Sequence, residues 1–490
     1  MRAVLAVDVG SSGVRAALYD VRARPLRISE VRNRYALVTG GDGGSETDAE
    51  KLMRVVERSI GEALAGAPRV DVLGVGVSTF WHGLLGADEG GRPVTPLYLW
   101  SDTRAAADAE RLRRRLDAEG VRQRNGCPVH ATYWPAKLAW LRRERPDLWR
   151  RRTLWLSFGD LLFMRLFGRL GTSLSMASGT GLFRLDEMAW DGALLRELRI
   201  DPESLPTISE SERGLSTRHR RMWPRLAEVP WFHALGDGAL ANLGSGCTTP
   251  RRRALTIGTS AAVRVMHRAP GRSPIPPGLW RYRLDARRLI TGGALSAGGN
   301  VREWLERSFS VNRGALERAL RAAEPGSHGL TVLPHLAGER GPGYAPNALG
   351  AIAGLTLATS AMDVARAGVE AMTVEVARVN RMLDQGAPRA GVLVASGGAV
   401  LGSPAWMQLL ADATGTPVGA GRAREASSRG AAVFALERLG LAPADAATTV
   451  ASRWFRPRPE SAAPFAAIEA RQVALYRDLI SEPHDLDPPT

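Results

Sequence analysis

Asp237 stands between two glycines, after the apolar run Trp231-Phe232-His233-Ala234-Leu235-Gly236 and before Gly238 and the small-residue stretch Ala239-Leu240-Ala241-Asn242. A carboxylate at a strand end, flanked by glycines that leave it uncrowded, is placed to take the proton of an alcohol as a bond to phosphorus forms. A turn aspartate that caps the following helix reads equally well from these residues. A second carboxylate, Asp8, ends the run Ala3-Val4-Leu5-Ala6-Val7 and precedes Gly10-Ser11-Ser12-Gly13-Val14-Arg15. Burying an anion at a strand end is costly unless something compensates it, and a hydrated Mg²⁺ ion would do so. The glycines of this turn let the backbone approach closely, so that several N–H groups can converge on one anion, and the serine hydroxyls add neutral donors. The pattern returns near mid-chain, where Ala254-Leu255-Thr256-Ile257 runs into Gly258-Thr259-Ser260 and then Ala261-Ala262-Val263-Arg264-Val265. Either turn alone could be an inert Gly-Ser hairpin. Two in matching positions point to an internal duplication and a shared phosphate-handling role.

Two further clusters have ligand-binding chemistry. Ser78-Thr79-Phe80-Trp81-His82-Gly83 follows a buried-strand pattern, and Trp100-Ser101-Asp102-Thr103-Arg104 comes soon after. Indole faces pack against sugar C–H surfaces, while His, Asp and Arg supply directional hydrogen bonds. A structural His beside a Trp is the plainer alternative. Gly391-Val392-Leu393-Val394-Ala395-Ser396 enters a Gly397-Gly398 turn, followed by Gly402, Ser403 as an N-cap and Pro404 at the first helical position. Unobstructed backbone there could lie against adenine or ribose, or form an ordinary strand-to-helix turn.

The elements that must position these residues follow from hydrophobic periodicity. Apolar runs at 3–7, 72–78, 231–235, 254–257 and 392–395 read as buried strands. Helical patterns at 49–64, capped by Thr47 or Asp48, at 104–116 and at 137–145 alternate with them, which predicts an α/β architecture. Pro270–Pro277 reads as a surface loop and 482–490 as a frayed end. At 490 residues, two domains are expected. Hydrophobic and charged contents of 44% and 23% exclude a disordered chain. The candidate for a membrane span, 154–167, carries Asp160 and Arg165. With no secretory leader before Asp8, a cytoplasmic, membrane-free protein is expected. Cys127 and Cys247 have no metal-ligand spacing, and no disulfide is expected from them. The net charge of +15 is almost all arginine, since Lys51 and Lys137 are the only lysines. Its scattered triplets lack interleaved aromatics or a nucleic-acid motif, so a solvated surface is expected and no nucleic-acid partner.

Taken in order, these pieces resemble the FGGY carbohydrate kinases, over nearly the whole chain from Val4 to about Leu439. Val7–Arg15 resembles the family's first phosphate motif and Thr256–Ser260 its second. Gly236-Asp237-Gly238 resembles its catalytic-aspartate segment, Ser396–Ala399 its adenosine motif, and Leu333–Pro342 a further stretch beside the nucleotide. The resemblance implies two ribonuclease-H-like domains of the actin and hexokinase kind around a central ATP cleft. The first, 1–248, would bind sugar and carry the first phosphate motif and catalytic Asp. The second, 249–490, would bind nucleotide, with an extension from about 440. It further implies that Asp8 holds Mg²⁺ through water and that Gly10, Ser11, Ser12, Gly13 and Arg15 meet the transferring phosphate. Gly258, Thr259 and Ser260 would hold the other phosphates, with Gly341, Gly397, Gly398 and Gly402 around the nucleotide. Asp237 would be the catalytic base, and Trp81, His82, Trp100 and Asp102 would bind substrate.

The gluconate kinase branch is the most similar, through Ser78–His82, Pro93–Tyr98, Ser296-Ala297-Gly298-Gly299-Asn300, Gly338-Glu339-Arg340 and Arg15. Trp81 is bulkier than the residue common there, and an acidic residue often found before Gly298 is missing. The expected reaction is therefore ATP-dependent phosphorylation of a sugar or sugar acid, D-gluconate to 6-phosphogluconate. A substrate carboxylate needs a cation or several donors. Arg104, His130 and Lys137 are the candidates, with Lys137 preferred. A pentulose kinase and a non-catalytic actin-like ATP switch stand as alternatives, and a homodimer is left open.

Overall fold

The computed structural model describes residues 1–269, 273–345, 348–441 and 451–481. Part of the Pro270–Pro277 loop and all of the end expected to fray lie outside them. The first apolar run forms β1 (Arg2–Gly10), buried from Ala3 through Val9. It turns back into β2 (Gly13–Asp20) with Gly10 opposite Gly13, so Ser11 and Ser12 make the whole turn. A β-carbon on Gly13 would sit 2.7 Å from the Asn33 carbonyl oxygen, which requires glycine there. β3 (Asp71–Thr79) runs parallel to β1, and β4 (Trp231–Gly236) runs parallel to β3.

The second half repeats this plan. β5 (Arg252–Ile257) and β6 (Ala261–Arg268) form the matching hairpin, and β7 (Arg288–Leu295) pairs antiparallel with β6. β8 (Val392–Ser396) runs parallel to β5 and β9 (Val418–Gly421) parallel to β8. In the first sheet the short strand Val31–Asn33 occupies the place of β7. Each sheet core therefore holds three antiparallel strands followed by two parallel ones, in the same spatial order. That is the duplication expected from the paired turns.

Strands buried on both faces need helical cover. α1 (Ala49–Gly66) is capped by Asp48, which accepts from the Glu50 and Lys51 amides, and packs on β2. α2 (Trp134–Glu144) belongs to the smaller core that walls the first sheet's open end. α3 (Asp237–Gly244) starts at Asp237 itself, two residues earlier than the sequence pattern gives. α4 (Ala361–Leu383) crosses the second sheet, and α5 (Pro404–Thr414) starts after Ser403, whose hydroxyl accepts from the Trp406 amide, and stops at Gly415. α6 (Ala426–Arg438) crosses back. Its residues Ala431–Leu436 lie in the hydrophobic core of the first sheet, although the helix follows β9 of the second sheet along the chain. No helix among the described residues is long and apolar enough to cross a membrane.

The α3–α6 contact joins the halves just behind the Asp237 turn. A β-carbon on Gly244 would lie 1.8 Å from the Ala426 carbonyl oxygen, and one on Gly430 would lie 1.9 Å from the Leu240 carbonyl oxygen. Backbone meets backbone here, so no side chain can yield. Gly430→Val should therefore lower stability by about 3 kcal/mol through overpacking, read as a lower thermal midpoint. An unchanged midpoint would mean that the helices do not pack this closely.

Candidate active site

Both hairpin turns lie at the carboxyl ends of parallel strands, where open α/β sheets bind their ligands. Asp8 of β1 is in register with Ser78 of β3, and Ser78 with Leu235 of β4. Asp237 is the residue after the end of β4, so the two carboxylates come from the parallel strands on either side of β3. Asp8 is 1% exposed. Its Oδ2 accepts from the Ser427 hydroxyl at 2.8 Å and from Arg15 Nη1 at 3.5 Å. Its Oδ1 is buried without a partner among the described residues. An orphaned anionic oxygen fits the outer coordination of a cation. Among the described residues, no three or more His, Cys, Asp or Glu side chains form a metal-binding group. The residues therefore suit Mg²⁺, which keeps most of its waters and takes phosphate oxygens, rather than an all-protein cage. Arg15, expected to face phosphate, is instead held between Asp8 and Glu425, its Nε 2.9 Å from Glu425 Oε2. Ser427 and Glu425 lie about four hundred residues beyond Asp8 and Arg15, and no local pattern marks either.

The half-buried Asp237 Oδ1 accepts from the Gly238 amide at 2.7 Å. Burial, and then the nearby negative Asp8, push its carboxyl up to about 6, with the Gly238 amide, Arg264 and Arg340 opposing. Arg264 is a buried cation at its side. Its Nε donates to Asn242 Oδ1 at 3.1 Å and its Nη2 to Thr256 Oγ1 at 2.7 Å, and it forms no ion pair among the described residues. The flanking glycines have a different use from the one expected. A β-carbon on Gly236 would lie 1.8 Å from Trp81 Cε2, and one on Gly238 would lie 2.8 Å from Trp81 Cζ3. They make room for the Trp81 indole beneath the turn rather than for a ligand above it. Trp81 is held by its Nε1–H on the Ser175 carbonyl at 3.0 Å and by Tyr282, 4.8 Å away between ring centres. It is packing under Asp237 more than a sugar-facing surface.

His82 sits beside it in a left-handed conformation, φ 67°, an uncommon backbone for a residue other than glycine. Its Nδ1 lies 2.6 Å from the Gly179 carbonyl oxygen, so Nδ1 carries the proton and Nε2 is left as an acceptor. Burial and the surrounding cations, Arg340 foremost, hold the ring neutral, its pKa well below the ordinary value. Lys137, preferred for a substrate carboxylate, is corrected by the structure. It is 1% exposed and donates to the carbonyls of His82 at 2.9 Å and Leu99 at 2.6 Å, which fixes the strained His82 backbone. Asp102 is likewise turned to scaffolding. It is buried and accepts from the Ser45 amide at 3.0 Å and from Arg104, whose Nη2 also reaches Glu46 at 2.6 Å. That network also takes Arg104 out of contention as an anion site. Trp100 is half-buried, with the Arg340 guanidinium 4.5 Å from its ring centre.

On the other side of the cleft, Gly258 and Gly398 have open space where a β-carbon would go, and Thr259 is exposed. Gly397, at φ 99°, must be glycine, because a β-carbon would lie 2.3 Å from the Ile257 carbonyl oxygen. Gly402 is exposed and ends the short helix Gly398–Leu401. Ser260 packs beneath Gly298, whose β-carbon would meet the Ser260 backbone at 2.7 Å. The Gly299 and Asn300 amides donate to the Gly258 and Thr259 carbonyls at 2.8 and 3.1 Å, strapping the second turn. Gly341 departs from expectation. It is buried against the Ala294 carbonyl and Tyr344, and its loop presents Arg340 to the His82 side of the cleft.

Comparison with known proteins agrees with this arrangement. Residues 3–244 match the model of the FGGY family of carbohydrate kinases, N-terminal domain, and residues 254–437 match that of its C-terminal domain. A gluconokinase of Bacillus subtilis (strain 168) is 25% identical, over 89% of this chain and 88% of its own length. A xylulose kinase of Staphylococcus xylosus is also 25% identical, over 89% and 90%, and a glycerol kinase of Geobacter sp. (strain M21) is 29% identical, over 94% and 95%. Among solved structures, a ligand-bound xylulose kinase and a gluconate kinase, both from Lactobacillus acidophilus, superpose with TM-scores of 0.91 and 0.90. Both are 24% identical, over 98% of each chain.

Proposed function

Starting from a chain that belongs to the FGGY family of carbohydrate kinases, we propose that it phosphorylates D-gluconate or a similar open-chain sugar acid, with Asp237 as the base. One observation carries this reading: a half-buried carboxylate stands at the domain junction between the Asp8 turn and the buried Arg264, beside the neutral acceptor His82. The substrate hydroxyl donates to Asp237, its oxygen attacks the γ-phosphorus, and the bond from γ-phosphorus to the β-bridging oxygen breaks. The proton passes to Asp237 and ADP leaves. Gly10–Gly13 and Gly258-Thr259 would hold the phosphate chain from its two sides, with Gly397-Gly398 against adenosine. Where Mg²⁺ is bound, its chemistry is to neutralise charge on the phosphate oxygens, with Asp8 orienting its waters. Closure of the halves excludes water from this junction and so guards ATP from hydrolysis.

A coupled ADP-release screen over gluconate, xylulose, ribulose, glycerol and erythritol tests the assignment. Gluconate is expected to give the highest kcat/KM. A clear preference for a pentulose or for glycerol would overturn the sugar-acid reading, and ADP release independent of any sugar would overturn kinase function altogether.

The raised Asp237 pKa sets the pH dependence. A base must be unprotonated, so kcat/KM should be full well above pH 6 and fall about tenfold per pH unit below it. A profile flat down to pH 4.5 would remove Asp237 from the proton transfer.

A further inference from the structure

Among the described residues, three hydrogen-bond donors on the sugar side of the cleft have no acceptor. Arg340 lies on the loop after Thr331–Leu333, its backbone N–H fixed on Ser296 Oγ at 3.0 Å and its guanidinium over Trp100. Among the described residues it makes no ion pair, unlike Arg104, Arg122, Arg165 and Arg253, which are matched with carboxylates. Its charge bears on Asp237, His82 and His130 together, so it lies within electrostatic range of the base and both histidines.

His130 is 7% exposed. The Thr132 amide donates to its Nδ1 at 3.2 Å, so in the neutral ring the proton sits on Nε2. Burial holds that ring neutral, with a pKa lowered to about 3. The Nε2–H donor is itself buried and has no partner among the described residues. Tyr344, its ring 5.7 Å from His130, has a buried hydroxyl that also lacks a partner among the described residues. Unmade hydrogen bonds at buried donors are costly, and the nearby Asp102 of the Trp100–Arg104 segment is already taken by Arg104. An anion arriving with the ligand would supply that acceptor. A planar carboxylate fits best, because a guanidinium presents two parallel N–H groups to it.

We propose that Arg340 and His130 form the recognition site for the substrate's carboxylate, so that the second half of the chain reaches into the first half's pocket to select sugar acids. The Tyr344 hydroxyl serves as a third donor. This rests on the kinase reading above and moves the anion contact away from Lys137, which has its ammonium on two backbone carbonyls.

The test is steady-state kinetics and tryptophan-fluorescence titration with D-gluconate and with its neutral counterpart D-glucitol, using Arg340→Gln, Arg340→Lys and His130→Gln. Arg340→Gln should raise the gluconate KM and Kd by 30-fold or more. Arg340→Lys, which keeps the charge but loses the paired donors, should give a smaller rise, and His130→Gln about tenfold. D-glucitol binding, and ATP binding as a check on folding, should stay within threefold. Equal losses for gluconate and D-glucitol, or no loss of gluconate binding in a variant that still binds ATP, would overturn the anchor while leaving the kinase reading intact. A wild-type enzyme that phosphorylates only neutral sugars would overturn the anchor and the sugar-acid reading together, but not the role of Asp237.

Discussion

Asp237→Asn should abolish sugar-dependent ADP release, lowering kcat by roughly 10²–10⁴-fold, the range general-base catalysis supplies. ATP affinity should stay within about threefold of wild type. The substitution keeps size and shape, so the Gly238 amide keeps its acceptor and Trp81 keeps its place under the turn. Only the ability to take a proton is removed. Rapid-mixing kinetics alongside nucleotide titration separates the two quantities. Turnover near the wild-type rate would show that proton removal is done elsewhere, and loss of ATP binding would show that the turn carries structure rather than chemistry.

Asp8→Asn is expected to be nearly as damaging, with kcat down about 10²-fold or more, the loss typical when a group stabilising transferred charge is removed. The amide can still accept from Ser427, so the contact between the halves survives. What disappears is the negative charge that pairs with Arg15 and offers its orphaned oxygen to hydrated Mg²⁺. The Mg²⁺ concentration for half-maximal activity should rise. The sign of a second effect is fixed by electrostatics: Asp8 raises the Asp237 pKa, so its neutralisation should move the acid limb of the kcat/KM profile to lower pH. A variant with full activity and an unmoved acid limb would dissociate Asp8 from the site.

Much of this architecture was legible from local pattern. Buried strands and glycine-serine turns carry their own periodicity, so both hairpins, the Gly397-Gly398 turn and the helix capped at Ser403 stand where the apolar runs end. What was not legible depends on contacts between distant segments. The crossing of α6 onto the first sheet is invisible in its sequence, because a helix buried on most of its surface reads the same in either core. Lys137 was conspicuous by rarity, yet rarity says nothing of direction, and its ammonium turns onto carbonyls of the chain. Asp102 was misread because it accepts from the Ser45 amide, more than fifty residues away, and shares Arg104 with the equally distant Glu46. The arginines that matter most, Arg264 and Arg340, sat inside quoted motifs, but their lack of a carboxylate partner among the described residues is a property of the fold alone.

The most direct test is a crystal structure of the protein with a non-hydrolysable ATP analogue, Mg²⁺ and D-gluconate. The account predicts the phosphate chain between the Gly10–Gly13 and Gly258-Thr259 turns, with adenosine on Gly397-Gly398. One sugar hydroxyl should lie about 2.6–3.2 Å from an Asp237 carboxylate oxygen. A nucleotide seated in a groove away from those turns, or a sugar with no hydroxyl near Asp237, would contradict it.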